Sequence, residues 1–367
     1  MPVLKKIVVQ DFRNIVFQEV CFSPNVNCIS GDNGEGKTNL LDAIYYLSMT
    51  KSAFAAPERS NWRYGTDGFA LGGTYGMENG LESRFSIQVG AEGKRLVRDD
   101  KPCPRLSDHI GLLPVVMISP SDISLVSDSS DERRRFANAV LSQMDPEYLA
   151  AVQAYNRLLA QRNHMLRQEN PEEQLLSVFD LKMSSAAQTV YQGRLRLCEG
   201  LRPLIQDYYA QISGGGEEVS LSYKSDLSAG SLPQILSAAR QRDLALHYTT
   251  CGVQRDDFLF TMNGHPIRRA GSQGQQKSFL VALKFAQYEM MKKAYGFPPL
   301  LLLDDVFDKL DLKRISHLIE LVAGSDFGQI FITDTDKSRI QGIVDRITED
   351  RAYFNASAGV FTKVEQL

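Results

Sequence analysis

The chain has 367 residues, of which 43% are hydrophobic and 23% charged, with a formal net charge of -3 and a pI near 6.0. That length fits two lobes, one inserted in the other, and excludes a small stapled scaffold. The weakly acidic balance excludes a globally basic nucleic-acid coat, so any contact with a polyanion must come from a local patch of Lys and Arg.

Along Met1–Val9 the apolar residues are too few for a signal-peptide core. From Leu4 to about Gly93, short apolar runs such as Phe69–Leu71, Arg84–Val89 and Arg95–Val97 alternate with Gly, Asn and Asp turns, which predicts a strand-rich portion around one helix. Within it, Val26–Ser30 reads as a short buried strand and Asn39–Leu47 as the opening of a helix. Between them Gly31-Asp32-Asn33-Gly34-Glu35-Gly36-Lys37-Thr38 fills every fixed position of the phosphate-binding pattern G-x-x-x-x-G-K-[ST]. The glycines let backbone N–H groups turn inward around phosphate oxygens, and the helix N-terminus adds partial positive charge there. Lys37 is expected to reach the β- and γ-phosphates of a nucleoside triphosphate, and Thr38 to ligate Mg²⁺.

Leu113–Ile118 is a further buried strand, after which the character turns helical. Ser129-Ser130-Asp131-Glu132 has the capping-box pattern and opens a helix through Leu141. Val152, Tyr155, Leu159 and Leu166 share a helical face, and helical patterning resumes from Glu172 to about Gln211. Gly214-Gly215-Gly216 closes this block before Val219–Tyr223 returns to strand alternation. The expected organisation is an α/β domain formed by 1–115 and 213–367, interrupted by a helical lobe at 116–212. In that lobe Arg133, Arg134 and Arg135 cluster, and Arg157, Arg162 and Arg167 recur along the next helix. They read either as phosphate contacts or as a solvated face with internal pairing. Tyr208 and Tyr209 read as base-stacking residues or as core at a helix end.

Gly271–Lys284 runs from a small polar turn into a helix, with Ser272 and Gly274 placing a hydroxyl and bare N–H groups at its start. It is either a plain N-cap or a second anion site. One ATP does not need two such sites from one chain, so the second reading has this turn cap the γ-phosphate of an ATP held by another copy. Pro298–Asp305 is an apolar run ending in two carboxylates, the pattern of a central parallel strand with acids at its ligand-binding edge. Asp304 is expected to hold Mg²⁺ and Asp305 to act on the water that attacks the γ-phosphate. Cys21, Cys28, Cys103, Cys198 and Cys251 are scattered and form no CxxC pair, which predicts free thiols in a reducing cytoplasm. No apolar run is long enough to span a bilayer.

The phosphate loop, the Ser272-Gln273-Gly274-Gln275-Gln276 signature and the Leu303-Asp304-Asp305-Val306 strand end, in this order, resemble the ABC-type ATPase heads of the chromosome-maintenance and repair class. Further blocks carry the resemblance closer, to the bacterial recombination-mediator family: Asp11-Phe12-Arg13-Asn14, Ser119-Pro120-x-Asp122, Glu132–Phe136, Tyr155-Asn156-Arg157, Gln161-Arg162-Asn163 and Arg255-Asp256-Asp257. The resemblance implies an α/β fold: a P-loop NTPase sheet with a strand-rich N-terminal portion, carrying the helical lobe. It implies a cytoplasmic, weakly active, DNA-dependent ATPase without nuclease activity that uses ATP and Mg²⁺. Such a protein forms a homodimer on binding ATP and engages DNA at single-strand gaps, single-strand/duplex junctions or duplex. It supports recombinase loading with partner mediator proteins in replication, gap repair and SOS induction. By the same resemblance Arg13 and Asn14 lie near the nucleotide, and Lys309–Asp311 form a loop crossing the dimer interface.

The chain departs from the family pattern in places. Val253-Gln254-Arg255-Asp256 stands where Pro-His-Arg-Asp is common, and Asp308 where a Ser often stands. Other readings are a related repair ATPase of another pathway, the energising subunit of a membrane transporter, and a nuclease with an ATPase head. Ser119-Pro120-Ser121-Asp122 lacks the Gln that a transporter subunit would dock through, and no appended metal-carboxylate domain is visible for a nuclease.

Overall fold

The computed structural model describes residues 1–54, 57–306, 327–336, 341–342, 344–345 and 348–364. In chain order the strands are β1 (Val3–Phe12), β2 (Ile15–Cys21), β3 (Val26–Ser30), β4 (Gly68–Gly76), β5 (Glu82–Gly90), β6 (Gly93–Arg98), β7 (Lys101–Cys103) and β8 (Val115–Ile118). They continue as β9 (Val219–Lys224), β10 (Asp257–Met262), β11 (His265–Pro266), β12 (Leu300–Asp304), β13 (Ile330–Asp334), β14 (Arg351–Ser357) and β15 (Val360–Val364). The helices are α1 (Lys37–Met49), α2 (Ser124–Ser127), α3 (Ser130–Met144), α4 (Pro146–Leu166), α5 (Glu173–Ser213), α6 (Leu232–Leu246), α7 (Ile267–Ala270) and α8 (Gln273–Tyr295).

Contacts gather the chain into two compact units: Met1–Asp122 with Gln211–Ser213 and Gln287–Leu367, and Ile123–Ala210 with Gly214–Ala286. The lobe expected at 116–212 is therefore larger than its run of helices. It takes in 214–286 because β9 and β10 pair with each other and α3 packs on β10. Helical periodicity alone could not show that a small sheet and the Ser272 turn belong with these helices.

The first unit holds two sheets. One is antiparallel, in the order β2-β1-β4-β5-β6-β7, and the other runs β15-β14-β3-β13-β12-β8. The second sheet is parallel except for the β14–β15 hairpin. β4 alternates buried and half-buried residues along its whole length, as a sheet with one solvated face requires. β3, β12 and β13 are buried at every position, which explains the apolar runs of β12 and β13; the buried Asn27 of β3 is satisfied by Ser23, accepting from its N–H (2.8 Å) and donating to its carbonyl (2.9 Å). α1 packs on strands of both sheets, so Leu40, Leu41, Ala43, Ile44, Tyr46 and Leu47 are fully buried. Each large apolar side chain enclosed there contributes about 1.5–3 kcal/mol. The fully buried Gln329 amide accepts from Leu4 N (2.8 Å) and donates to the carbonyls of Leu4 and Ser23 (2.8 Å each), tying the start of β1 to the foot of β13. All five cysteines are free; burial pushes the Cys28 thiol in β3 far up, so it stays protonated.

The second unit carries the sheet β11-β10-β9 and most of the helices. On α4, Val152, Tyr155 and Leu166 are buried and Leu159 is half-buried, so the predicted face is the packed one. Arg162 shares it. This residue is fully buried, with Nε 2.7 Å from Asp180 and a guanidinium nitrogen 2.7 Å from Asp243. Arg133 pairs with Asp257 at 2.7 Å, Arg134 with Asp131 and Arg135 with Glu132. The basic cluster is thus mainly internal pairing, and Arg162 is withdrawn as a phosphate contact; Arg157 and Arg167 remain exposed. Ser129 does cap α3, but by its backbone: its side chain makes no cap hydrogen bond, since Glu132 turns to Arg135 instead of closing the box. Tyr209 is a buried core residue, and the half-buried Tyr208 packs its ring 5.7 Å from that of Phe285.

Removing one partner of a buried ion pair leaves an uncompensated charge. Asp243→Ala is therefore expected to destabilise the second unit by about 3–5 kcal/mol in urea unfolding. A loss below ~1 kcal/mol would show the Arg162 cluster to be solvated. Among the described residues no helix is long and apolar enough to cross a membrane.

Candidate functional site

β3 delivers the chain to the C-terminal edge of the parallel sheet, where Gly31–Gly36 form a loop and Lys37 begins α1. Gly36 has φ 101°, a left-handed conformation that favours glycine, and a Cβ there would lie 2.8 Å from the Asn14 amide and push that side chain aside. The loop is braced on two sides. From the β1–β2 turn, Asn14 Nδ2 donates to Gly34 O (3.4 Å) and Asn14 Oδ1 accepts from Asn39 (2.7 Å). From the β14–β15 turn, Gly359 N donates to Glu35 O (2.9 Å) and Ala358 N donates to the Glu35 carboxylate.

Lys37 is almost wholly buried and its Nζ donates to the loop carbonyls of Gly31 (2.6 Å) and Asp32 (2.9 Å). The Thr38 hydroxyl donates to Asp304, 2.9 Å from both carboxylate oxygens. Asp304 ends β12 and also accepts from the Thr333 hydroxyl at 2.8 Å. Burial pushes the Asp304 carboxyl up and the neighbouring Asp305 charge adds to this, against the hydrogen bonds from Thr333 and Thr38. A buried carboxylate beside a threonine hydroxyl is a hard-oxygen pair that suits Mg²⁺. Asp305 follows at φ 47°, a left-handed conformation unusual for a residue with a side chain, and its N–H donates to Thr333 Oγ1 at 3.0 Å.

Sequence reading brought Lys37, Thr38, Asp304 and Asp305 to one sheet edge, and the structure joins them. It missed Thr333, which orients both aspartates. Ile330-Phe331-Ile332-Thr333-Asp334 repeats the apolar-then-polar ending of β12, and that was the available signal. Arg13 reaches α1. Its guanidinium lies 2.6 Å from the buried Asp42 and also donates to Asn39, Ser52 and Asn61 (3.1 Å each), so it braces α1 while its neighbour Asn14 meets the loop. Burial pushes the Asp42 carboxyl up and Arg13 opposes that shift.

Ser272 caps α8 in the second unit: Gln275 N donates to Ser272 Oγ (3.3 Å) and Ser272 N donates to Gln275 Oε1 (2.7 Å). Gln254, the departure from the family histidine, accepts from the Tyr155 hydroxyl and donates to Cys251 O at 2.6 Å, a pair of bonds a neutral imidazole also makes. Asp308 and Lys309–Asp311 lie outside the described residues.

The parallel sheet, the braced phosphate loop and the acids on the adjoining strand ends define a P-loop ATPase head of the ABC type. A model of the AAA domain matches residues 6–105. The DNA replication and repair protein RecF of Parabacteroides distasonis is 42% identical over 364 residues, 99% of this chain and 100% of its own. RecF of Bacteroides thetaiotaomicron is 41% identical over 99% of each chain. A solved structure of the recombination mediator protein RecF with ATP, in the RecFOR pathway, superposes with a TM-score of 0.90 at 28% identity, over 99% of this chain and 98% of that one. The Smc head of Pyrococcus furiosus, at 16% identity and a TM-score of 0.58 over 99% of this chain and 96% of its own, shares the fold alone. The chain belongs to the RecF family of DNA replication and repair proteins, an AAA/ABC-type ATPase family.

Proposed function

We propose that this chain binds ATP with Mg²⁺, dimerises around two nucleotides, holds DNA at single-strand gaps or junctions, and lets go after slow hydrolysis. The observation that carries this reading is the Thr38–Asp304 bond at the end of a loop whose lysine is already drawn inward. On nucleotide binding Lys37 exchanges the Gly31 and Asp32 carbonyls for phosphate oxygens, and Gly34 and Gly36 leave room for backbone N–H groups to meet them. Asp32, Asn33 and Glu35 contribute the remaining backbone of the cradle, with Glu35's charge absorbed by the β14–β15 turn. Thr38 and Asp304 would hold Mg²⁺, which would supply positive charge against the phosphates. Asp305 orients the attacking water, and its short side chain favours a low turnover that suits a timed clamp. Ser272 and Gly274 meet the γ-phosphate of the nucleotide on a second copy.

With its relatives named for replication and repair and for the RecFOR pathway, the proposed setting is the cytoplasm. There the dimer works with partner mediator proteins in recombinase loading, gap repair and SOS induction. Exposed Arg135, Arg157 and Arg167 are the cluster residues left for DNA phosphates.

The test is fluorescence anisotropy of a labelled gapped duplex with ATP, with ADP and without nucleotide. ATP is expected to tighten binding about tenfold or more. Equal binding in all three conditions would defeat the ATP-gated clamp and leave an ATPase that acts on a protein.

A further inference from the structure

The Ser272 turn does not stand by its own cap alone. Gln275, which accepts from Ser272 N through Oε1, donates through Nε2 to Glu217 Oε1 at 2.5 Å. The other oxygen of Glu217 accepts from the hydroxyl of the buried Tyr209 at 2.8 Å. The amide of Gln275 has one possible orientation here, because a backbone N–H faces its oxygen and a carboxylate faces its nitrogen. Glu217 reaches this position because Gly214, Gly215 and Gly216 all adopt positive φ (80°, 84° and 103°) and swing the chain back beside Tyr209. Three left-handed residues in succession are a conformation that only glycine adopts freely.

We propose that Glu217 is a positioning residue for the nucleotide sandwich: through Gln275 it fixes the pose in which Ser272 presents its hydroxyl and the first N–H groups of α8 to the γ-phosphate of the other copy. The inference rests on the function proposed above. Ser272 Oγ already accepts from Gln275 N, so the hydroxyl proton is the part of this group left to donate outward. A drift of about half an ångström in the turn misdirects it. The link also joins the signature turn to the end of the long helix α5, so that Tyr209, Glu217, Gln275 and Ser272 form one line of hydrogen bonds.

The test uses the full chain and four variants. Glu217→Ala removes both bonds and is expected to weaken ATP-dependent dimerisation about tenfold or more, read by light scattering, while leaving ATP binding to the monomer within about twofold. Gln275→Glu sets two carboxylates against each other and is expected to be at least as damaging. Glu217→Gln combined with Gln275→Glu restores a donor facing an acceptor, and with it most of the dimerisation that Gln275→Glu loses. Glu218→Gln, at an exposed neighbour lining the same cavity of about 440 Å³, is the control and leaves dimerisation unchanged. Equal loss in the swapped pair and in Gln275→Glu, or full dimerisation by Glu217→Ala, overturns the role of Glu217. A parent chain that fails to dimerise with ATP overturns the sandwich itself, and the two failures are distinguished by that first measurement.

Discussion

Lys37→Met is expected to leave the fold intact and weaken ATP binding about 100-fold or more, the value of two charge-assisted hydrogen bonds to phosphate. In the present structure the ammonium group is held by the Gly31 and Asp32 carbonyls, so a methionine of similar length fills the same channel without leaving a buried charge. The loop itself stays braced by Asn14 and by the β14–β15 turn, neither of which touches the lysine nitrogen. Nucleotide-dependent dimerisation and DNA binding should vanish together. Calorimetric titration with a slowly hydrolysed ATP analogue measures the first effect; affinity within threefold of the parent would remove Lys37 from the phosphate site.

Asp305→Asn is expected to separate binding from turnover. Asparagine preserves size and the backbone bonds to Thr333, but it cannot accept a proton, so hydrolysis should fall about 10²–10⁴-fold while ATP-dependent dimers persist. DNA already clamped would then stay clamped, visible as a slowed off-rate on dilution into ADP. If phosphate release in a single turnover is unchanged, the general base lies elsewhere on this edge. Asp334, buried at the end of β13, is the next carboxylate to examine.

What the sequence disclosed follows a physical divide. The phosphate loop was legible because its function demands glycine at fixed backbone positions, and Gly36 adopts the left-handed conformation that only glycine takes freely. β12 was legible because a parallel strand buried on both faces is uniformly apolar until the edge where acids can meet solvent and ligand. The Asp42 partner of Arg13 was not, since a motif records that an arginine is present and says nothing about which carboxylate braces it. Arg162 was misleading for the same reason: at helical spacing a buried ion pair and a solvated charge look alike until Asp180 and Asp243, distant in sequence, arrive beside it. The lobe boundary failed because helix and strand periodicities describe elements one at a time, and which elements cohere depends on pairings such as β9 with β10.

β3, which launches the phosphate loop, has as its two sheet neighbours β13 and β14. Both are made from residues more than three-quarters of the way along the chain, as is the turn at Ala358 and Gly359 that steadies Glu35. During synthesis the loop therefore leaves the ribosome long before anything can pair with its strand, and non-local pairing of this kind is slow. The strand that launches the phosphate loop is therefore completed only when the last strands dock against one of the first.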